Sequence, residues 1–349
     1  LNISVFIEKN LGKDAGFTDE EFINSGASIF TNNDNMNNDV NIVLTVSNIP
    51  EIKTYFGHSS SIYLIGLLSP YENKNLLKNF NSSNLNCLSM ELIPRISRAQ
   101  SMDVLSSQSN LAGYKAVINS AAMIKQAIPM MMTAAGTIIP AKILILGAGV
   151  AGLQAIATAK RLGSVVYAFD VRPEVEEQVL SLGAKFISVN KDEESSKELS
   201  DGYAKEMDDD YKIKQLSKIE EIAKISDIII TTALIPGKKA PILIPKSTVN
   251  KMKKGSIVYD LAGIAGGNCE LTEFGRSVIS NGVTISSPVN LPSEVAKDAS
   301  NLYSKNLFTL VKLLLDKNNQ VYHNMSDEII CDSTIIKDGK FVNKILEEK

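Results

Sequence analysis

Residues 143–173, ILILGAGVAGLQAIATAKRLGSVVYAFDVRP, constrain the fold of this chain more than any other stretch. An apolar run, Ile143 to Leu146, meets Gly147-Ala148-Gly149-Val150-Ala151-Gly152. A helix-forming segment follows to Leu162, and a second apolar run ends in Asp170. The order strand, glycine turn, helix, strand, acid is a dinucleotide-binding fingerprint, and each part has a physical task. Gly147 permits the tight turn, Gly149 lets backbone approach a pyrophosphate, and Gly152 lets helix and strand pack closely. The new helix presents unpaired N–H groups and a partial positive charge to phosphates. Asp170, 18 residues beyond Gly152, is placed to accept from an adenosine ribose hydroxyl.

The alternative is a glycine-rich turn in a buried helix or a membrane span, the latter because residues 143–159 are almost uncharged. Pro140 and Lys142 on one side and Lys160-Arg161 on the other leave about 17 residues, the lower limit for crossing a bilayer. Three glycines would cost such a helix about 1 kcal/mol each, so the turn is favoured. Asp170 also bears on the cofactor. A 2′-phosphate ~4 Å from its carboxylate would be repelled by about 4 kcal/mol at an effective dielectric near 20, several hundredfold in affinity. NAD is therefore expected over NADP, unless Arg172 swings in to neutralise the phosphate.

The 349 residues suffice for two domains, and a net charge of −3 points to neither nucleic acid nor an anionic membrane surface. Cys87, Cys269 and Cys331 show no CxxC spacing, and the two histidines, His58 and His323, are far apart. Neither a disulfide framework nor a metal site is expected. Asn-rich patches, Asn32 to Asn41 and Asn73 to Asn86, read as surface loops.

Along residues 1–105, apolar runs at Ile3–Ile7, Asn41–Val46, Ile62–Leu68 and Leu85–Met90 alternate with polar helical stretches, which predicts a parallel α/β sheet. Thr18-Asp19-Glu20-Glu21 reads as a capping box with Gly26 closing its helix. After a loop, Pro94–Asp103, a long helix is expected from Val104 to about Gln126. Further strands are expected at Lys185–Val189, Asp227–Thr231, Ser256–Tyr259 and Val283–Ile285. A second long helix, Pro292 to Leu315, precedes a short β-like tail. The expected fold class is thus α/β, with two Rossmann-like domains bearing parallel sheets and linked by two long helices. Residues 1–105 and 292–349 would form the first domain and residues 106–291 the nucleotide domain, with the binding cleft between them. Residues 191–221, with 11 acidic and 6 lysine residues, are either a solvated loop or a mobile flap contacting nucleotide through Tyr203.

A second unusual stretch is PRISRAQSMDVLSSQSNLAGY, Pro94 to Tyr114, whose polar side chains crowd between two apolar elements. Together with ILILGAGVAGLQAIATAKRLG, VVYAFDVRPEVEEQV, DGYAKEM and YDLAGIAGGNCE, it resembles the NAD(H)-binding component, domain I of the alpha subunit, of proton-translocating NAD(P) transhydrogenase, related to alanine dehydrogenase. The resemblance runs through essentially the whole chain. It implies a loop over the nicotinamide end carrying Arg95, Ile96, Ser97, Gln100, Ser101, Met102, Asp103 and Ser106, with Arg95, Gln100 and Asp103 nearest the chemistry. It implies pyrophosphate contacts at Gly147, Ala148, Gly149, Val150 and Gly152, and ribose contacts at Asp170, Val171 and Arg172. Gly202 and Tyr203 would belong to the flap, with Gln215 just beyond it and Leu234 after the Asp227–Thr231 strand.

The resemblance also implies a homodimer, a partner domain holding NADP(H), a membrane domain, and a place on the soluble face of an energy-transducing membrane. The family's usual opening strand lies before Leu1, so a fragment or a truncated chain is expected. Three activities compete: transhydrogenation, amino-acid oxidation of the alanine dehydrogenase kind, and nucleotide binding without chemistry. Oxidising an amino acid needs a proton relay within about 3 Å of the reacting atoms. In the related alanine dehydrogenases a His follows a first-domain strand and an Asp a nucleotide-domain strand. Here IYLIGLLSPY has no His, and YDLAGIAGGN offers Ile264 where the acid is expected. Hydride transfer between two nicotinamides needs no such relay.

Overall fold

The computed structural model describes residues 3–31, 41–47, 61–71, 73, 84–189, 209–235 and 237–343. His58, Gly202, Tyr203 and much of both Asn-rich patches lie outside them. In chain order the strands are β1 Phe6–Glu8, β2 Ser28–Phe30, β3 Ile42–Leu44, β4 Ile62–Gly66, β5 Leu85–Ser89, β6 Met131–Thr133, β7 Gly136–Ile138, β8 Lys142–Leu146, β9 Val165–Phe169, β10 Lys185–Phe186, β11 Ile228–Thr231, β12 Ile257–Asp260, β13 Ser277–Ser280, β14 Val283–Ser286, β15 Thr334–Lys337 and β16 Lys340–Phe341. The α-helices are α1 Asp19–Asn24, α2 Val104–Met123, α3 Val150–Arg161, α4 Glu176–Ser181, α5 Asp209–Ala223, α6 Lys246–Val249, α7 Ala296–Leu313 and α8 Glu328–Ser333. No helix among the described residues is long and apolar enough to cross a membrane. Residues 142–161 are a strand, a turn and a helix.

Two compact units divide the chain: residues 1–108 with 295–349, and residues 109–294. In the first, five strands pair in the order β16-β15-β5-β4-β3. β3, β4 and β5 run parallel, whereas β15 and β16 pair antiparallel at one edge. This sheet is mixed, not all-parallel as expected, because the tail enters it as a hairpin. The tail also holds a helix that its short apolar run concealed: Asp327 caps α8 through Ile329 N, and Ile329 and Ile330 are buried in the core. At the other end of the sequence, Thr18 and Glu21 form the expected capping box of α1, and Gly26 is left-handed at φ +93°.

The second unit is built on seven strands in the order β10-β9-β8-β11-β12-β14-β13, parallel except for β13. Its central strands bury both faces, as parallel sheets must. Ile143, Ile145, Ile228 and Ile230 pack with Ala155, Ile156 and Ala159 of α3 on one side. Leu144, Leu146, Ile229 and Val258 pack with Ile219 and Ala223 of α5 on the other. The strand expected at Lys185–Val189 is only two residues long. The charged segment expected as loop to residue 221 is helical from Asp209, because Gln215, Ile219 and Ala223 recur every fourth residue as a buried stripe under the charge. The exposed hairpin β6–β7 had no counterpart in the sequence pattern, which lacks alternation there.

His323 lies in the first unit, edge-on to Tyr63 at 5.5 Å, with Nε2 2.9 Å from Thr334 Oγ1. Its Nδ1 is buried without a partner. Burial lowers its pKa from the usual 6.5 to about 4. The unfolded chain therefore takes up this proton first as pH falls, so the contribution of the neutral ring is full above about pH 6.5 and is lost towards pH 4. After discounting for solvent screening of a half-buried ring, this amounts to about 1 kcal/mol between pH 7 and pH 5. Urea unfolding at both pH values is expected to show that loss in the native chain and its absence in His323→Asn.

Candidate functional site

The strand order places a topological switch point between β8 and β11, and ligands of open α/β sheets sit outside the carboxyl ends of such strands. Gly147 leaves β8 at φ +97°, and its N–H donates to Phe169 O at 2.8 Å. Gly149 caps α3 in an extended conformation. A Cβ at Gly149 would meet nothing closer than Arg172 Nη2 at 3.9 Å, so the turn is open on that side. At Gly152 a Cβ would lie 1.8 Å from Gly147 O, a contact that glycine alone avoids. Ala148 is buried and Val150 exposed. These residues fit a pyrophosphate at the first turn of α3, where free N–H groups meet open space.

Asp170 follows β9 and is held tightly. Its Oδ2 accepts from Ala148 N at 2.7 Å and Arg172 Nη2 at 2.9 Å. Its Oδ1 accepts from Arg172 N at 2.9 Å and Arg172 Nε at 3.0 Å. The carboxylate side chain is only 6% exposed against 23% for the guanidinium, whose pKa this hydrogen bonding raises above its ordinary range. Val171 between them is partly buried. Tyr211 of α5 is near enough that the charge of Asp170 adds to burial in raising its phenol pKa. Gln215, one turn further along α5, is buried, and Leu234 beyond β11 is exposed.

Sequence reading missed the residues that support this turn. Thr232 Oγ1 donates to Gly147 O at 3.0 Å and fills the space a Cβ on Gly147 would need. Asn268 is fully buried, its Oδ1 accepting from Ala233 N and its Nδ2 donating to Ala233 O and Pro241 O. It thereby fixes the loop that carries Leu234. Asp260, at the end of β12, accepts from Thr231 Oγ1, Ala262 N, Cys269 N and Thr272 Oγ1. Polar residues at parallel strand ends were a usable signal for Thr232 and Asp260, but not for Asn268, which lies in the loop beyond β12. Ile264 in the same segment is 64% exposed.

In the first unit the loop from Pro94 forms a 3-10 helix, Ser97–Met102. Three residues per turn carry Ile96, Ala99 and Met102 into the core, leaving Arg95, Ser97, Gln100 and Ser101 exposed. Arg98 is pinned to Asp327 by two hydrogen bonds, of 2.7 and 3.0 Å. Ser101 O accepts from Asn306 Nδ2 of α7. Asp103 caps α2, accepting from the backbone N–H of Ser106 at 2.9 Å and from its hydroxyl. Beside this loop, Glu91 accepts from Leu68 N, Ser69 N and the Ser89 hydroxyl, and burial raises its pKa.

Residues 1–112 match the family description "Alanine dehydrogenase/PNT, N-terminal domain" and residues 116–344 "Alanine dehydrogenase/PNT, C-terminal domain". The chain belongs to the alanine dehydrogenase/PNT family. Among family members, the first portion of the split NAD(P) transhydrogenase alpha subunit of Rickettsia prowazekii is 46% identical over 350 residues, 99% of this chain and 90% of its own length. The crystal structure of a transhydrogenase from Sinorhizobium meliloti has a TM-score of 0.86 at 42% identity, covering 98% of this chain and 92% of the other. Alanine dehydrogenase of Halomonas elongata is more distant, 24% identical over 351 residues, 99% of this chain and 88% of its own.

The contact between Gly152 and Gly147 O cannot relax around a methyl group, because both partners are backbone. Gly152→Ala is expected to cost roughly 3 kcal/mol, a fall of about 6–12 °C in melting temperature for a unit of this size. Differential scanning calorimetry checks it, and an unchanged Tm would contradict the close approach.

Proposed function

We propose that this chain is the NAD(H)-binding component of a proton-translocating NAD(P) transhydrogenase, passing hydride between NADH and NADP⁺ held by a partner domain. The observation that carries the reading is the state of Asp260. Ile264 stands where the alanine dehydrogenase relatives are expected to hold an acid, and the acid that the same segment does carry, Asp260 at the end of β12, is occupied by four donors. A fully buried carboxylate with about four acceptor positions filled in this way is committed to holding its own loop. His323 is engaged with Thr334 and Tyr63 of the five-stranded sheet in its own unit. Both side chains are committed to structure, which supports a reaction that needs no proton relay.

NAD, when bound, supplies a nicotinamide ring that accepts or donates hydride at carbon. The protein's part is then geometric: to hold the ring about 3–3.5 Å from its reaction partner and exclude water. The open turn at Gly149 and the first turn of α3 receive the pyrophosphate, and Asp170 receives the adenosine ribose. Gln100 offers an amide for the nicotinamide carboxamide, and Arg95 and Asp103 frame it. Capping of α2 by Asp103 and the tie from Asn306 to Ser101 keep this short loop from moving. We propose further that Gly202 and Tyr203, outside the described residues, close over bound nucleotide, that the protein is a homodimer, and that it works at the soluble face of an energy-transducing membrane with a membrane domain as partner.

Titration with NADH is expected to quench or shift nucleotide fluorescence, while alanine with NAD⁺, and pyruvate plus ammonia with NADH, are expected to give no reaction. NADH oxidation by pyruvate plus ammonia would favour the alanine dehydrogenase reading instead. Gln100→Ala is expected to slow transfer to a partner's NADP⁺ more than it weakens NADH binding. Equal loss of both would make Gln100 a binding residue only.

A further inference from the structure

We infer that Asp170 and Arg172 form one selectivity element, in which Asp170 withholds Arg172 from the 2′-phosphate of NADP(H), and that release of Arg172, beyond loss of the acidic charge, is what would let this site take NADP(H). The inference rests on the dinucleotide site proposed above and specifies how that site chooses between two nucleotides.

A carboxylate offers about four acceptor positions. All four on Asp170 are used: by Ala148 N, Arg172 N, Arg172 Nε and Arg172 Nη2. A ribose therefore cannot bind this carboxylate while the guanidinium keeps its two contacts to Asp170. An NAD ribose brings two hydroxyl donors, which replace Nε and Nη2 one for one. The nearly buried carboxylate stays satisfied, and the guanidinium turns towards the open side of the glycine turn, where it already stands 3.9 Å from the position of a Cβ on Gly149.

A 2′-phosphorylated ribose breaks this exchange. Its phosphate brings no donor in place of the 2′-hydroxyl and attracts the guanidinium to itself. Asp170, 6% exposed, would lose both guanidinium hydrogen bonds, regain only one from the 3′-hydroxyl, and face a like charge. Arg172 is thus suited to bind a phosphate, planar and with paired donors, and is prevented from doing so by its neighbour two residues away. If acid–phosphate repulsion alone set the preference, Arg172 would be irrelevant to it.

The test measures NADH and NADPH dissociation constants by fluorescence for the native chain, Asp170→Ser, Arg172→Ala and the double variant Asp170→Ser/Arg172→Ala. Asp170→Asn is added because it keeps an acceptor for Ala148 N if the serine variant folds poorly, and melting temperatures report folding. The expected result is a gain of about tenfold or more in NADPH affinity for Asp170→Ser, a smaller gain for Asp170→Asn, and loss of most of that gain, about fivefold or more, in the double variant, which keeps only the part due to removal of the acidic charge. A double variant that keeps the whole gain overturns the role of Arg172, as does an Asp170 variant that folds, binds NADH and gains nothing for NADPH. A native chain that binds no NADH would instead refute the proposed function, so the two failures are distinguishable.

Discussion

The contact between Gly152 and the carbonyl of Gly147 sets the geometry of the nucleotide unit. A helix can start within three residues of a buried strand only where backbone meets backbone, and here a single methyl group would intrude to 1.8 Å. The opposite flank of the same helix is equally close, since a Cβ on Gly113 of α2 would lie 2.1 Å from Ala151 O. Fixed between two such contacts, the first turn of α3 has no freedom to drift. The N–H of Ala148 consequently points at Asp170, and the acid is presented to the space above the turn at a defined depth.

The same economy runs through the polar residues at the strand ends and in the loops that follow them. Asp260, Asn268 and Thr232 are consumed in holding loops, and Asp103 and Glu91 do the equivalent in the first unit. Within each unit, polar groups committed to fixing backbone are poorly equipped to move protons and well equipped to hold a rigid loop. Direct hydride transfer makes that demand, because its barrier responds to distance and alignment between carbons more than to a titrating side chain.

Much of this was legible in the residues. The β8–α3–β9 unit could be read because the three glycines and Asp170 answer steric and hydrogen-bonding needs that few other residues meet. The Pro94–Asp103 loop could be located by its density of polar side chains, but not its 3-10 form, whose period-three burial of Ile96, Ala99 and Met102 resembles neither helix nor strand in a short window. The helix at Asp209 was hidden because its buried face is narrow and its surroundings are strongly charged. The antiparallel edge made by the tail was out of reach for another reason: pairing of Thr334 with Leu88 is a contact between residues far apart in sequence, which local patterns do not encode. The saturation of Asp170 by Arg172 belongs to the same class of information, since spacing gives proximity but not which lone pairs are occupied.

In the proposed function, hydride moves directly between two nucleotides without help from a titrating group. The most direct measurement follows deuterium from NADH labelled at the nicotinamide C4 position, using the full chain mixed with an NADP-binding partner domain, at several pH values from 6 to 9. The account predicts that the label appears in NADPH without washing into solvent and that the transfer step stays level with pH. Label recovered in water, or a transfer step that follows the titration of one group, would contradict it.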